Sequence, residues 1–131
     1  MTMKRSILAI ALGAVLAFAI LGLAANKGDT QTTSGFRGPK ANTGNVVHSI
    51  ENGKSILRVS SDFKVPDTPA PTWRIVDGQG NVYTLDAFKV KGGEKREIEV
   101  PAYVGEISKV QVYCAWAQVL LGEANFSVPV K

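Results

Sequence analysis

Two side chains in this 131-residue chain could do chemistry on their own account, and each is the single representative of its type. Cys114 lies in the stretch KVQVYCAWAQVLLGEANF (109–126), and His48 in NVVHSIENGKSILRVSS (45–61). A lone thiol admits three readings: a small buried apolar residue, half of an intermolecular disulfide, or a redox or cofactor-binding group. A lone histidine on an apolar face is a packed residue whose ring finds a backbone partner, or a weak cofactor ligand.

The inventory excludes most other site chemistry. Structural zinc takes four Cys or His ligands, so one chain cannot close such a site, and no metal site is expected. There is no C-x-x-C dithiol and no C-x-x-C-H for covalent haem. The only methionines are Met1 and Met3, so bis-His and His/Met haem ligation also lack residues in the domain; ligation by the Cys114 thiolate or by His48 is what survives. A G-x-S-x-G elbow is absent. The run Asp77-Gly78-Gln79-Gly80-Asn81 partly matches a calcium loop, but Phe88 stands at the twelfth position where a bidentate Glu is needed, so it reads as a hairpin turn. Asn125-Phe126-Ser127 has the form of a glycosylation acceptor within a predicted strand.

The elements that must position Cys114 and His48 begin after a membrane-directed segment. Lys4 and Arg5 precede an uncharged run from Ile7 to Ala25. As a helix that run would extend about 28 Å, near the roughly 30 Å hydrocarbon core of a bilayer. Residues 1–25 are therefore expected to be a transmembrane anchor or a cleaved signal peptide, with the basic side inside and the following domain membrane-anchored or secreted on the extracytoplasmic side. No cysteine follows the run directly, against a lipid-modified protein. Residues 26–34 (NKGDTQTTS) read as a linker. The formal charge is +4, but two of the 15 basic residues are Lys4 and Arg5, and no basic run with interleaved aromatics follows. No nucleic-acid partner is expected.

Residues 35–131 read as strands. Asn52-Gly53 suits a type I′ turn, which would pair Ile50 with Ser55, His48 with Leu57 and Val46 with Val59, placing His48 on the more apolar face. The three prolines of DFKVPDTPAP exclude a central strand there. TWRIV and VYTLDAF flank DGQGN as a second hairpin, FKVKGGEKREIEV reads as a solvated hairpin, and REIEVP alternates as a half-buried strand. In KVQVYCAW, Val110, Val112, Cys114 and Trp116 share one parity, so the thiol and the indole are expected to point inward together. Beyond Gly122, Ala124, Phe126 and Val128 share a face. The expected fold is all-β, an antiparallel β-sandwich preceded by the N-terminal helix.

This part of the chain resembles the DM-thirteen domain family, an electron-transfer domain. The resemblance rests on SGFRGP, TGNVV, GKSILRVSSDFKV, TWRIVD, VPAYV and above all VQVYCAWAQVLLGEANF, spanning nearly all of residues 35–128. It departs at Tyr113, where the family carries tryptophan. The resemblance implies a β-sandwich whose family cysteine is Cys114, with extracellular redox chemistry through a naked thiol or a held prosthetic group such as haem. That would be an accessory domain bringing its thiol near the membrane face, with electrons supplied by a redox or surface protein partner. The alternative is a non-enzymatic protein- or glycan-binding module, with VPDTPAPT and DGQGN as its loops. No catalytic constellation beyond Cys114 points to an enzyme.

Overall fold

A computed structural model describes residues 30–131; the N-terminal helix expected over residues 1–25, and the start of the linker, lie outside the described residues. The described residues are all-β, with antiparallel sheets and no helix. The strands are β1 (Thr30–Thr32), β2 (Val46–Glu51), β3 (Lys54–Val59), β4 (Pro71–Asp77), β5 (Val82–Ala87), β6 (Lys89–Val90), β7 (Gly93–Glu94), β8 (Glu97–Glu99), β9 (Ile107–Cys114) and β10 (Val119–Val130). One four-stranded sheet runs β1-β2-β3-β8 and the other β10-β9-β4-β5, with β6-β7 a separate small hairpin. Both four-stranded sheets feed one apolar core, which makes the fold sandwich-like.

The β2–β3 hairpin has the register the turn residues demand: Val46 opposite Val59, His48 opposite Leu57, Ile50 opposite Ser55. Asn52 and Gly53 take φ of 52° and 75°, both positive as a type I′ turn requires. On the outer face Arg58 clamps the sheet. Its guanidinium donates to both carboxylate oxygens of Glu51, at 2.5 and 2.9 Å, and to Glu97 on β8. That arginine holds the Glu51 carboxyl down to about 2.

β4 and β9 are the central strands of the second sheet and read as nearly continuous buried runs. The largest of their buried side chains is Trp73, which is fully buried, stacks on Phe88 at 4.6 Å between ring centroids, and donates its indole N–H to the Lys95 carbonyl at 2.8 Å. An indole buried among apolar groups needs that acceptor, because an orphaned N–H would cost most of what the ring's burial gains. Ile98 and Val100 enter the core from alternating positions while Glu97 and Glu99 stay exposed, as the sequence pattern demands.

Residues 33–41 form a strap along β10. Thr33 and Ser34 donate to Val46 and Asn125, Arg37 exchanges bonds with Glu123, and Lys40 and Ala41 both donate to the Leu121 carbonyl. The contact is close enough to require glycine on both sides: a Cβ on Gly122 would fall 2.1 Å from the Ala41 carbonyl oxygen, and one on Gly38 2.3 Å from Leu121 O. β10 carries a register shift between Leu120 and Gly122 at this crossing.

Four features differ from the sequence reading. Thr30–Thr32, read as linker, pair with β2 as an edge strand, and Thr33 is buried where its hydroxyl accepts the Val46 amide. Pro71, read as loop, opens the central strand β4, where a missing N–H is tolerated because it is the first residue. Trp116 is exposed, since β9 ends at Cys114 and the chain turns at residues 115–118 before β10 begins. Val128 is also exposed, because a second register shift in β10 lies between Asn125 and Val130.

Candidate functional site

Cys114 is the last residue of β9, paired with Pro71 of β4 on one side and Val119 of β10 on the other. Its inward parity holds: the residue is 1% exposed, in line with Val110 and Val112. The turn that follows folds back over the sulfur. The Gln118 amide donates to the Cys114 carbonyl at 2.8 Å, the Ala117 amide reaches Sγ at 3.5 Å, and Gln118 takes a left-handed φ of 56° to close the turn. Across the strand end, Ala115 donates to the Ala70 carbonyl.

This wrapping changes the thiol's acidity. The Ala117 amide is the largest influence and lowers the Cys114 pKa; burial opposes it, while the Ala70 and Trp116 backbone and the Thr68 hydroxyl add smaller downward pulls. The net direction is below the ordinary thiol value, so the thiolate is favoured relative to a free cysteine. Thr68 Oγ1 is buried and has no hydrogen-bond partner among the described residues.

The thiol lines an apolar cavity of about 300 Å³, walled by Pro69, Leu121 and Ala117 and opening between Trp116, Leu120 and Lys40. Trp116 is 76% exposed and Val119 and Leu120 are about half exposed, so the mouth carries a small uncovered apolar patch. Such a chamber admits a small oxidant or an apolar side chain and keeps bulk water from the sulfur. Pro39, Lys40, Thr68 and Pro69 give the strap and the proline-rich loop a function that neither shows in sequence: they build the walls around the cysteine.

His48 is elsewhere. It is 3% exposed, hydrogen-bonded through Nε2 with Ser55 Oγ at 2.7 Å, and edge-on to Phe126 with ring centroids 6.3 Å apart. Burial lowers its pKa, which keeps the ring neutral at pH 7. The packed reading therefore describes it, with a serine hydroxyl as partner where a backbone group was expected. His48 lines a different cavity, with Gln31 and Val128 to Lys131, and shares no lining residue with the thiol's cavity. The two cofactor candidates named from sequence are not brought together.

That separation bears on haem. A haem held here would have Cys114 Sγ as its one side-chain ligand, at the floor of a cavity at the small end of the roughly 300–1,000 Å³ range of ligand pockets. The sulfur's contact with the Ala117 amide further favours a thiolate in place over a metal ligand aimed outward. The residues do not fit an enclosed porphyrin. Among the described residues no cluster of three or more His, Cys, Asp or Glu could hold a metal.

The two cavities also mark opposite ends of the fold. Cys114 faces Pro71 and Val119, whereas Asp77 and Val130 pair with Ile107 at the other end of β9, about 23 Å away at ~3.3 Å per residue. Gln31 of β1 lines the His48 cavity beside Val128 to Lys131, so the described chain begins at the Ile107 end. The thiol stands at the end away from it.

At the Ile107 end, the DGQGN turn is built as a turn. Asp77 Oδ1 accepts the Gln79 and Asn81 amides at 2.9 and 2.8 Å, and Oδ2 accepts Asn81 Nδ2 at 2.9 Å and the Tyr83 hydroxyl at 3.2 Å. The Asn81 side chain is the largest of the influences that lower the Asp77 pKa. Compared with known proteins, the chain finds no matching family model, no matching curated protein and no matching solved structure.

Proposed function

We propose that this is an extracytoplasmic accessory domain, delivered or tethered by its N-terminal apolar segment, that works as a single-thiol redox group of the DM-thirteen kind. One observation carries the reading: Cys114 Sγ combines a pKa lowered chiefly by the Ala117 amide with a place on the wall of an open apolar cavity. A merely structural cysteine would be expected to lack both. With a hydroperoxide as oxidant the step balances simply. The thiolate sulfur attacks the distal peroxide oxygen, the O–O bond breaks, the cysteine becomes a sulfenic acid, and the alcohol or water leaves with the proton. Thr68 Oγ1, buried without a hydrogen-bond partner among the described residues, lines the same cavity. A thiol of a dithiol partner then condenses with the sulfenic acid to a mixed disulfide, with loss of water, and the partner's second thiol attacks that disulfide, releasing the Cys114 thiolate and leaving the partner with the disulfide. Within the described domain the thiol stands at the end away from Thr30.

The test is sulfenic-acid trapping with dimedone after brief exposure of the full chain to hydrogen peroxide. One adduct per chain at Cys114 is expected, none in Cys114→Ser, and a changed rate in Trp116→Ala. An oxidised wild-type pool without adduct, or a thiol untouched by peroxide, would sink the redox reading.

A second reading keeps the cavity without the chemistry: a binding module that captures an apolar side chain of a partner protein. The exposed Trp116, Val119 and Leu120 at the mouth favour it. It is separated by Cys114→Ala, which would leave capture intact while Trp116→Ala removes it.

A further inference from the structure

The Ile107 end of the fold carries a third cavity, of about 490 Å³, between the DGQGN turn and the loop that leads into β9. Two tyrosines shape it. Tyr83 and Tyr103 stand with ring centroids 6.0 Å apart and planes inclined by 49°, which makes an open corner of two aromatic faces, and Tyr103 is 73% exposed. The charged residues lining it are Asp77 and Glu106, with no lysine or arginine among the lining residues. From the aromatic corner, the two carboxylates and the absence of a lining cation, we infer that this cavity binds a quaternary ammonium group.

The hydrogen bonding decides between this ligand and a sugar, the other common guest of aromatic and acidic pockets. Asp77 spends both oxygens on four donors of its own turn, and the Tyr83 hydroxyl is one of those donors. Few lone pairs are left for sugar hydroxyls. A methylated ammonium carries no N–H or O–H and needs none: it is held by ring faces and by nearby negative charge. The same turn fixes the Tyr83 ring through its hydroxyl and so holds one wall of the corner rigid before any ligand arrives. Glu106 sits on the rim, and its backbone carbonyl accepts the Gly78 amide at 2.7 Å, which ties the two loops together.

Such a group occurs free, on a lipid headgroup, or on a methylated lysine. The negative lining favours the bare cation over a phosphate-bearing headgroup, because a phosphate would lie against Glu106.

The experiment is an amide chemical-shift titration of the full chain, solubilised in a polyoxyethylene detergent that carries no choline, with tetramethylammonium chloride. Saturable shifts at Gly78, Asn81, Gly105 and Glu106 are expected, and neopentyl alcohol of the same shape should produce none at equal concentration. Tyr103→Ala should weaken binding by roughly tenfold and Glu106→Gln by roughly threefold, while Tyr103→Phe, which keeps the ring face, should stay within about threefold of wild type. Choline, glycerophosphocholine and trimethyl-lysine then identify the source, with choline or trimethyl-lysine expected to bind more tightly than glycerophosphocholine. The inference is overturned by equal response to the neutral alcohol, by saturable shifts with glucose in place of the cation, or by no saturable shift in the wild type at up to about 100 mM.

Discussion

The two ends of the paired strands solve opposite problems with the same backbone. At the Ile107 end, Asp77 gathers two amides, a carboxamide and a phenol, so the polar groups of the turn are satisfied locally. At the Cys114 end, the Thr68 hydroxyl is buried without an ordinary partner, a thiol is held among apolar groups, and a tryptophan lies open to solvent. A turn whose polar groups are satisfied is a stable structural element; a buried hydroxyl left without a partner costs stability. The difference separates a loop that satisfies its own polar groups from one that leaves a thiol on the wall of an apolar cavity.

Perturbations should therefore act at both ends, at one, or at neither. Trp73→Ala removes the largest ring of the shared core and should lower the unfolding free energy by about 3–5 kcal/mol in urea titration, with thiol protection and the Tyr103 environment lost together. Gly122→Ala pushes a methyl into the Ala41 carbonyl and should cost about 1–3 kcal/mol. Its signature is local: alkylation of Cys114 accelerates while tyrosine fluorescence at the other end is unchanged. Asp77→Ala orphans its donors and should cost a similar ~1–3 kcal/mol with Cys114 reactivity unaffected. Its pH dependence has a definite sign. The folded carboxyl is held below its ordinary value of 3.8, so its contribution is complete above that value and disappears as pH falls through the lowered one; the variant should show a flatter stability profile below about pH 4. Trp116→Ala should change stability by no more than about 0.5 kcal/mol, yet alter access to the thiol, which separates the role of an exposed indole from that of a core one.

The sequence was most informative where local chemistry dictates geometry. Asn52-Gly53 determines the sign of two φ angles and hence every pair of the β2–β3 hairpin, His48 opposite Leu57 included. Alternation placed Cys114 inward correctly because it remains within β9. Parity failed two residues later, at Trp116, since the turn between β9 and β10 is made by Ala115, Trp116, Ala117 and Gln118, none of which is a strong turn former; Gln118 adopts its left-handed φ under tertiary constraint. The nearby glycine, Gly122, is where the strap presses on β10. The cavity was not readable at all. Its walls come from residues 39–40, 68–69 and 114–121, segments joined only by long-range pairing, and the glycines that permit the crossing look from sequence like loop residues.

The central claim is that Cys114 is a reactive thiol held in readiness, and its rate of alkylation as a function of pH tests this most directly. Iodoacetamide should modify Cys114 in the native full chain, with an apparent pKa below that of the same thiol in the chain unfolded in urea. A native thiol inert across the whole pH range, which reacts only once the chain is unfolded, would contradict the account and return Cys114 to the core as a packing residue.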